Sequence, residues 1–183
     1  MIFTLALCLA VMAAATAAQP GAESEVFNDE DMMEMAKVNQ TLVVFKRKHT
    51  RETPFRCLSA ANEKQYSTTQ YQYKLGAKLG KTYHSHTVNV TLEKLDDSIS
   101  GYKSTYTYNG TVYTLTMKKV GPMRECFVIF VNKSDGKQGC ELLVTASKVN
   151  DPIPEECQNY YSKNCNGTNI RLHNRNCVYN TVS

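Results

Sequence analysis

Tryptophan is absent from this chain of 183 residues, and histidine is scarce, with four copies. After residue 18 no hydrophobic run is long enough to cross a membrane, which excludes a helical span from the rest of the chain. There is no nucleophile elbow, glycine-rich phosphate loop or cysteine–histidine dyad, so no enzymatic chemistry and no cofactor is expected. Basic residues are missing from the leading segment, where Glu23, Glu25, Asp29, Glu30, Asp31 and Glu34 stand without one lysine or arginine. The net charge of +4 therefore conceals an uneven distribution, because from Met35 onward 21 basic residues face 11 acidic ones. These basic residues are scattered, which argues for a solvated basic surface and against nucleic-acid binding.

What the chain does have is cysteine. Residues 1–18 form an apolar stretch ending in small residues, with the pattern of a cleavable signal peptide. Cys8 would leave with it, so seven cysteines become six, and residues 19–183 have the size of one domain. An even number of cysteines behind a leader reads as three disulfides in a secreted, extracellular protein. Six cysteines permit 15 pairings, so connectivity needs an argument from strand direction. Sequons at Asn39, Asn89, Asn109, Asn132 and Asn166 agree with export and predict a glycan-coated surface. They also mark outward positions, because a glycan-bearing residue faces water and its immediate strand neighbours face in.

Asn28 followed by three acidic residues predicts a helix start, with Met32, Met35 and Ala36 at helical spacing over about two turns. Short strands are expected at 41–46, 55–60 and 67–74. Over 82–93 alternation is clear, and Asn89 outward turns His84, His86, Val88, Val90 and Leu92 inward. Asn109-Gly110, between strands at 102–108 and 111–118, is a hairpin signal because both turn positions favour positive φ. That turn would set Tyr108 against Thr111, Tyr106 against Tyr113, Ser104 against Leu115 and Tyr102 against Met117.

A second hairpin is read from 125–132 and 140–145. With Asn132 outward, Cys126, Val128 and Phe130 face out, while Glu125, Phe127, Ile129 and Val131 face in. Cys140, Leu142 and Val144 share the outer side, leaving Glu141 and Leu143 inside. The apolar outer stripe needs a cover, and the segment opening at Pro152-Ile153-Pro154-Glu155-Glu156 supplies a helix reaching Cys165. From this facing we infer bridges Cys126–Cys157 and Cys140–Cys165, which leaves Cys57 with Cys177.

Seven or eight antiparallel strands with an outer helix, and an inner set containing His84, His86, Tyr102, Tyr106, Tyr113, Glu125 and Glu141, describe a small closed barrel with a lined cavity. The sequence resembles the tick salivary lipocalins of the histamine-binding-protein-like family. The resemblance rests on Cys57, on Cys126-Phe127-Val128-Ile129, on Gly139-Cys140-Glu141-Leu142-Leu143, on Pro154-Glu155-Glu156-Cys157 with Tyr161 and Cys165, and on Cys177. It implies an all-β, eight-stranded antiparallel lipocalin barrel with a short N-terminal helix and a C-terminal helix outside, in a monomeric secreted scavenger of host mediators. It also implies that Glu141 matches a ligand carboxylate and that His49 and Glu52 stand where the family has a tyrosine and an aspartate. Tyr102 or Tyr106 would match a lumen tyrosine, and Phe127 replaces an acidic residue.

Two ligand classes follow. Glu125 and Glu141 with tyrosine walls would hold a biogenic amine such as histamine or serotonin, in the service of evading host defence, since a buried carboxylate calls for a cation. Alternatively, His84, His86 or Arg124 would meet the carboxylate of an eicosanoid or fatty acid. A separate possibility is a scaffold that inhibits a host protein such as a complement factor through its surface. His84-Ser85-His86 has a spacing that can hold zinc, but two histidines lining a polar lumen is the commoner arrangement, and no metal is expected.

Overall fold

The structure, a computed structural model, describes residues 30–96 and 99–179. The expected leader and the Asn28 cap lie outside the described residues. Chain order is a one-turn helix α1 (Met33–Ala36), strands β1 (Leu42–Arg47), β2 (Phe55–Gln65), β3 (Gln70–Leu79), β4 (Thr82–Asp96), β5 (Ile99–Tyr108), β6 (Thr111–Val120), β7 (Cys126–Lys133) and β8 (Gln138–Thr145), then helix α2 (Glu155–Asn164) and a two-residue strand β9 (Ile170–Arg171). Strands β2 to β8 pair in sequence order, and β1 joins β8 to β2, closing an eight-stranded antiparallel barrel of lipocalin type.

The hairpin at Asn109-Gly110 has φ values of 49° and 74°, and the pairs run from Tyr108↔Thr111 to Ser104↔Leu115. The expected Tyr102–Met117 pair does not form. Residues 30–32 come between the two strands there: Glu30 N donates to Met117 O at 3.0 Å, and Met32 N donates to Tyr102 O at 3.1 Å. The first helix is correspondingly shorter than expected, one turn at Met33–Ala36, with Asp31 Oδ1 accepting from Met33 N at 2.9 Å. It plugs the end of the barrel opposite the Asn109-Gly110 turn, burying Met32, Met35 and Ala36 in the inner cluster.

Alternation divides the residues into two apolar cores. Val88, Val90 and Leu92 of β4, Phe127, Ile129 and Val131 of β7, and Leu143 of β8 face the interior. On the outside Val43, Val128, Leu142 and Val144 pack under α2 with Tyr161, which is 2 % exposed. Disulfides Cys126–Cys157 and Cys140–Cys165 fasten α2 to β7 and β8. Helix α2 starts after Pro154, with Glu155 and Glu156 in its first turn, where the helix dipole favours negative charge.

Closure between β1 and β2 is limited to Leu42↔Ala60 and Val43↔Ser59. Beyond them the strands diverge, and residues 170–173 occupy the gap. Leu172 N donates to Phe45 O of β1 at 3.0 Å, and Cys57 N of β2 donates to Leu172 O at 2.9 Å. Leu172 itself is fully buried in the inner cluster. The Cys57–Cys177 disulfide, spanning 120 residues, ties this segment down. The tail is thus a stave of the wall.

Candidate functional site

The barrel encloses a cavity of about 630 Å³. Its deep part is apolar: Leu42, Val44, Val88, Val90, Leu115, Ile129 and Leu143 line it, with Met32 and Met35 of the plug beneath. Tyr71 and Tyr73 of β3 add two buried rings, 6.4 Å apart, and burial pushes both phenols above the ordinary tyrosine range. These two had no role in the sequence reading, where their strand showed only a polar alternation of threonine, glutamine and tyrosine.

Toward the open end the lining becomes polar. Glu141 points inward from β8 and accepts from His49 Nε2 at 2.9 Å; their side chains are 13 % and 2 % exposed. Opposite Glu141 in the β1–β8 register stands Arg47, 7 % exposed. Its Nη2 donates to Thr50 O at 3.1 Å, while its Nε is buried without a hydrogen-bond partner. Burial destabilises this guanidinium, and Glu141 only partly offsets the effect. Lys133 completes the group, with Nζ 3.4 Å from Thr50 Oγ1 and 4.9 Å from the centre of the Tyr113 ring. Desolvation lowers its pKa, opposed by Asp135 and reinforced by Arg47. Tyr113 stacks on Tyr106 at 4.7 Å, nearly parallel at 9°. Burial, followed by the charge of Glu141, raises the Tyr106 phenol.

Arg47 enters the cavity because of a β-bulge. Val44 pairs with Leu143 and Lys46 with Leu142, so Phe45 is the extra residue, and Phe45 and Lys46 both face out while Arg47 faces in. Strict alternation along β1 would send Lys46 inward instead, and the expected strand ended at residue 46, so Arg47 was not among the candidates. Lys133 was missed because it stands at the end of β7 beside a turn, one residue past the expected strand.

The other candidate positions separate by depth. His84 and His86 line the cavity at its rim and are exposed, His86 meeting Tyr108 edge-on at 4.9 Å; Glu52 lines the same rim, also exposed. Phe127 is fully buried in the inner cluster but does not line the cavity, and Tyr102 packs against that cluster by the plug. Glu125 is a correction. It precedes β7 rather than opening it, and its carboxylate pairs with Lys148 Nζ at 3.3 Å instead of facing the cavity. The turn through Pro122–Arg124 breaks the alternation that the sequence reading extended back to it. Arg124 likewise lies at the plugged end, pairing with Glu34 at 2.5 Å. The five sequon asparagines are all exposed.

A closed eight-stranded barrel around a chamber with an apolar depth and a charged mouth defines a lipocalin-type small-ligand binding protein. More narrowly, the chain belongs to the tick histamine binding protein family, whose model matches residues 21–179. A comparison with curated proteins found no match.

Proposed function

We propose that this protein sequesters a small amphipathic mediator bearing a carboxylate, such as an eicosanoid or an unsaturated fatty acid, in its barrel. The observation that carries this reading is the buried Arg47, whose Nε points to no protein acceptor beside an apolar chamber of about 630 Å³. An unpaired guanidinium nitrogen in a low-dielectric site calls for an anion. With Lys133 beside it, two cations stand at the polar end; of the two carboxylates there, Glu141 is already engaged by His49 and Glu52 is exposed to solvent at the rim. A hydrocarbon chain would lie among Val88, Val90, Leu115 and the Tyr71–Tyr73 pair, with its head toward the mouth.

A biogenic amine fits less well. Glu125 is outside the cavity, and a cation approaching Glu141 meets Arg47 and Lys133 at close range, where like charges repel strongly. The leader-like residues 1–18 and the three disulfides support action outside the cell, where such a scavenger would blunt a host response.

Native mass spectrometry of the refolded chain against arachidonate, a leukotriene, histamine and serotonin tests this reading. Capture of the two carboxylates is expected, with Arg47→Met weakening it at least about tenfold, the value of a charge-assisted hydrogen bond. Retention of the amines with no carboxylate signal, or unchanged lipid binding in Arg47→Met, would reverse it.

A further inference from the structure

A second group of cations lies on the outer wall, apart from the cavity. The bulge that turns Arg47 inward leaves Lys46 facing out, and Lys48 follows on the same side of the chain. Arg171 of β9 stands directly opposite Lys46. All three are held by neutral groups. Lys46 Nζ donates to Gln158 Oε1 at 2.8 Å and lies 5.0 Å from the centre of the Tyr161 ring. Lys48 Nζ lies 4.9 Å from that ring and donates to the carbonyls of Tyr161 and Cys165. Arg171 lies 4.9 Å from the Phe45 ring, with Nε donating to His173 O at 3.2 Å.

Among the described ion pairs, none joins a carboxylate to Lys46, Lys48 or Arg171. Glu30, Glu34, Glu63 and Glu93 pair with Lys119, Arg124, Lys37, Lys74 and Lys103. The three outer cations therefore keep their charge uncompensated, and burial together with mutual repulsion lowers the Lys46 pKa. Contacts with rings and carbonyls fix the ammonium groups in place, which reduces the ordering cost of binding a counter-charge. Two cations sit at Tyr161 and one at Phe45, so the charge is spread along the seam. Phe45 and Tyr179 flank His173 in a stack, at 5.2 and 5.8 Å, beside that line of charge.

We propose that this face, formed by Lys46, Lys48 and Arg171 over Tyr161 and Phe45, binds a sulfated polysaccharide. Successive sulfates of an extended polymer match cations spaced along the seam and held there by the Tyr161 and Phe45 rings. A protein held by three disulfides works in the oxidising compartment where such polymers are displayed. The site is independent of whatever the barrel holds.

The test is binding of the refolded, unglycosylated chain to size-defined heparin fragments over a range of salt. Lys46→Gln combined with Arg171→Gln should raise Kd about tenfold and flatten the salt dependence by roughly two, one per lost contact. Lys103→Gln with Lys119→Gln, an equal change of charge at the plugged end, should leave both unchanged. On the unsubstituted chain, saturating heparin should protect Lys46 and Lys48 from acetylation, a measurement that does not depend on how any variant folds. An equal loss in the control pair, absence of that protection, or tighter capture of single-stranded DNA of matched length would overturn the assignment.

Discussion

Gly121 has no room for even a methyl group. A Cβ there would overlap Cys126 Sγ, lie 2.8 Å from Cys157 Sγ and 3.2 Å from Cys126 O. Neither sulfur can move without displacing α2 from the barrel, because both belong to the bridge that holds it. Gly121→Ala is therefore expected to slow formation of the Cys126–Cys157 bond and to cost about 1–3 kcal/mol, the usual range for overpacking. Thiol counting during refolding and a denaturant melt would show both effects; a variant that oxidises and melts like the parent would refute the argument. At this scale the sequence was legible where alternation holds, as at Glu141 and Leu143. It did not reach Arg47, which a bulge turns inward, and it failed at Glu125, which the turn through Pro122–Arg124 leaves outside β7. Nothing in the composition of β1 marks the bulge, which shows only in the pairing with β8, where Phe45 turns out to pack against His173 and Arg171 of the tail.

Among the elements, the β5–β6 hairpin was readable because Asn109-Gly110 stores its geometry locally, whereas the stave at 170–173 was not readable at all. Two residues of strand with no alternation carry no periodic signal, and their pairing with β1 and β2 is wholly tertiary. Strand β2 likewise runs to Gln65, past the expected end at residue 60. Its polar residues 62–65 have little strand preference of their own, and they are extended by pairing with Gln72 and Tyr73. The stave depends on its clamp. Replacing Cys57 and Cys177 together by serine releases a loop of 120 residues, for which the chain-entropy model gives about 4–5 kcal/mol. The double variant should also exchange hydrogens faster at the amides of Leu172 and position 57 and release a bound ligand more quickly, while Leu42 and Val43 stay protected. Equal protection and equal release in the parent and the variant would show that the tail holds without the bridge.

For the molecule as a whole, the buried phenols set an alkaline limit. Burial raises Tyr73, Tyr106, Tyr161 and Tyr179 above the usual tyrosine value of 10.0. Each keeps its proton in the folded state at pH values where the unfolded chain has lost it, so the unfolded chain binds fewer protons there. This contribution is complete below about pH 10 and is lost as pH rises through the folded values. The urea midpoint should be level in neutral solution and fall above about pH 10, with phenolate absorbance from these residues appearing only as structure is lost. Phenolate formation at the ordinary value with the fold intact would contradict their burial. The architecture was the most legible level, since strand count, outer helix and inward face are repeated signals that survive single errors of phase. The ligand class was the least legible, because it is decided by the balance of charge among Arg47, His49, Lys133 and Glu141, and the sequence showed one member of that set clearly.

The stave also has a temporal meaning. Leu172 closes a gap between neighbours some 115 and 127 positions earlier in the chain, at Cys57 and Phe45, so a growing polypeptide cannot finish its own wall until residue 172 has left the ribosome. Guest capture should accordingly be a late acquisition of biosynthesis, following the oxidation of Cys177, and a nascent chain halted before that cysteine would be a leaky vessel.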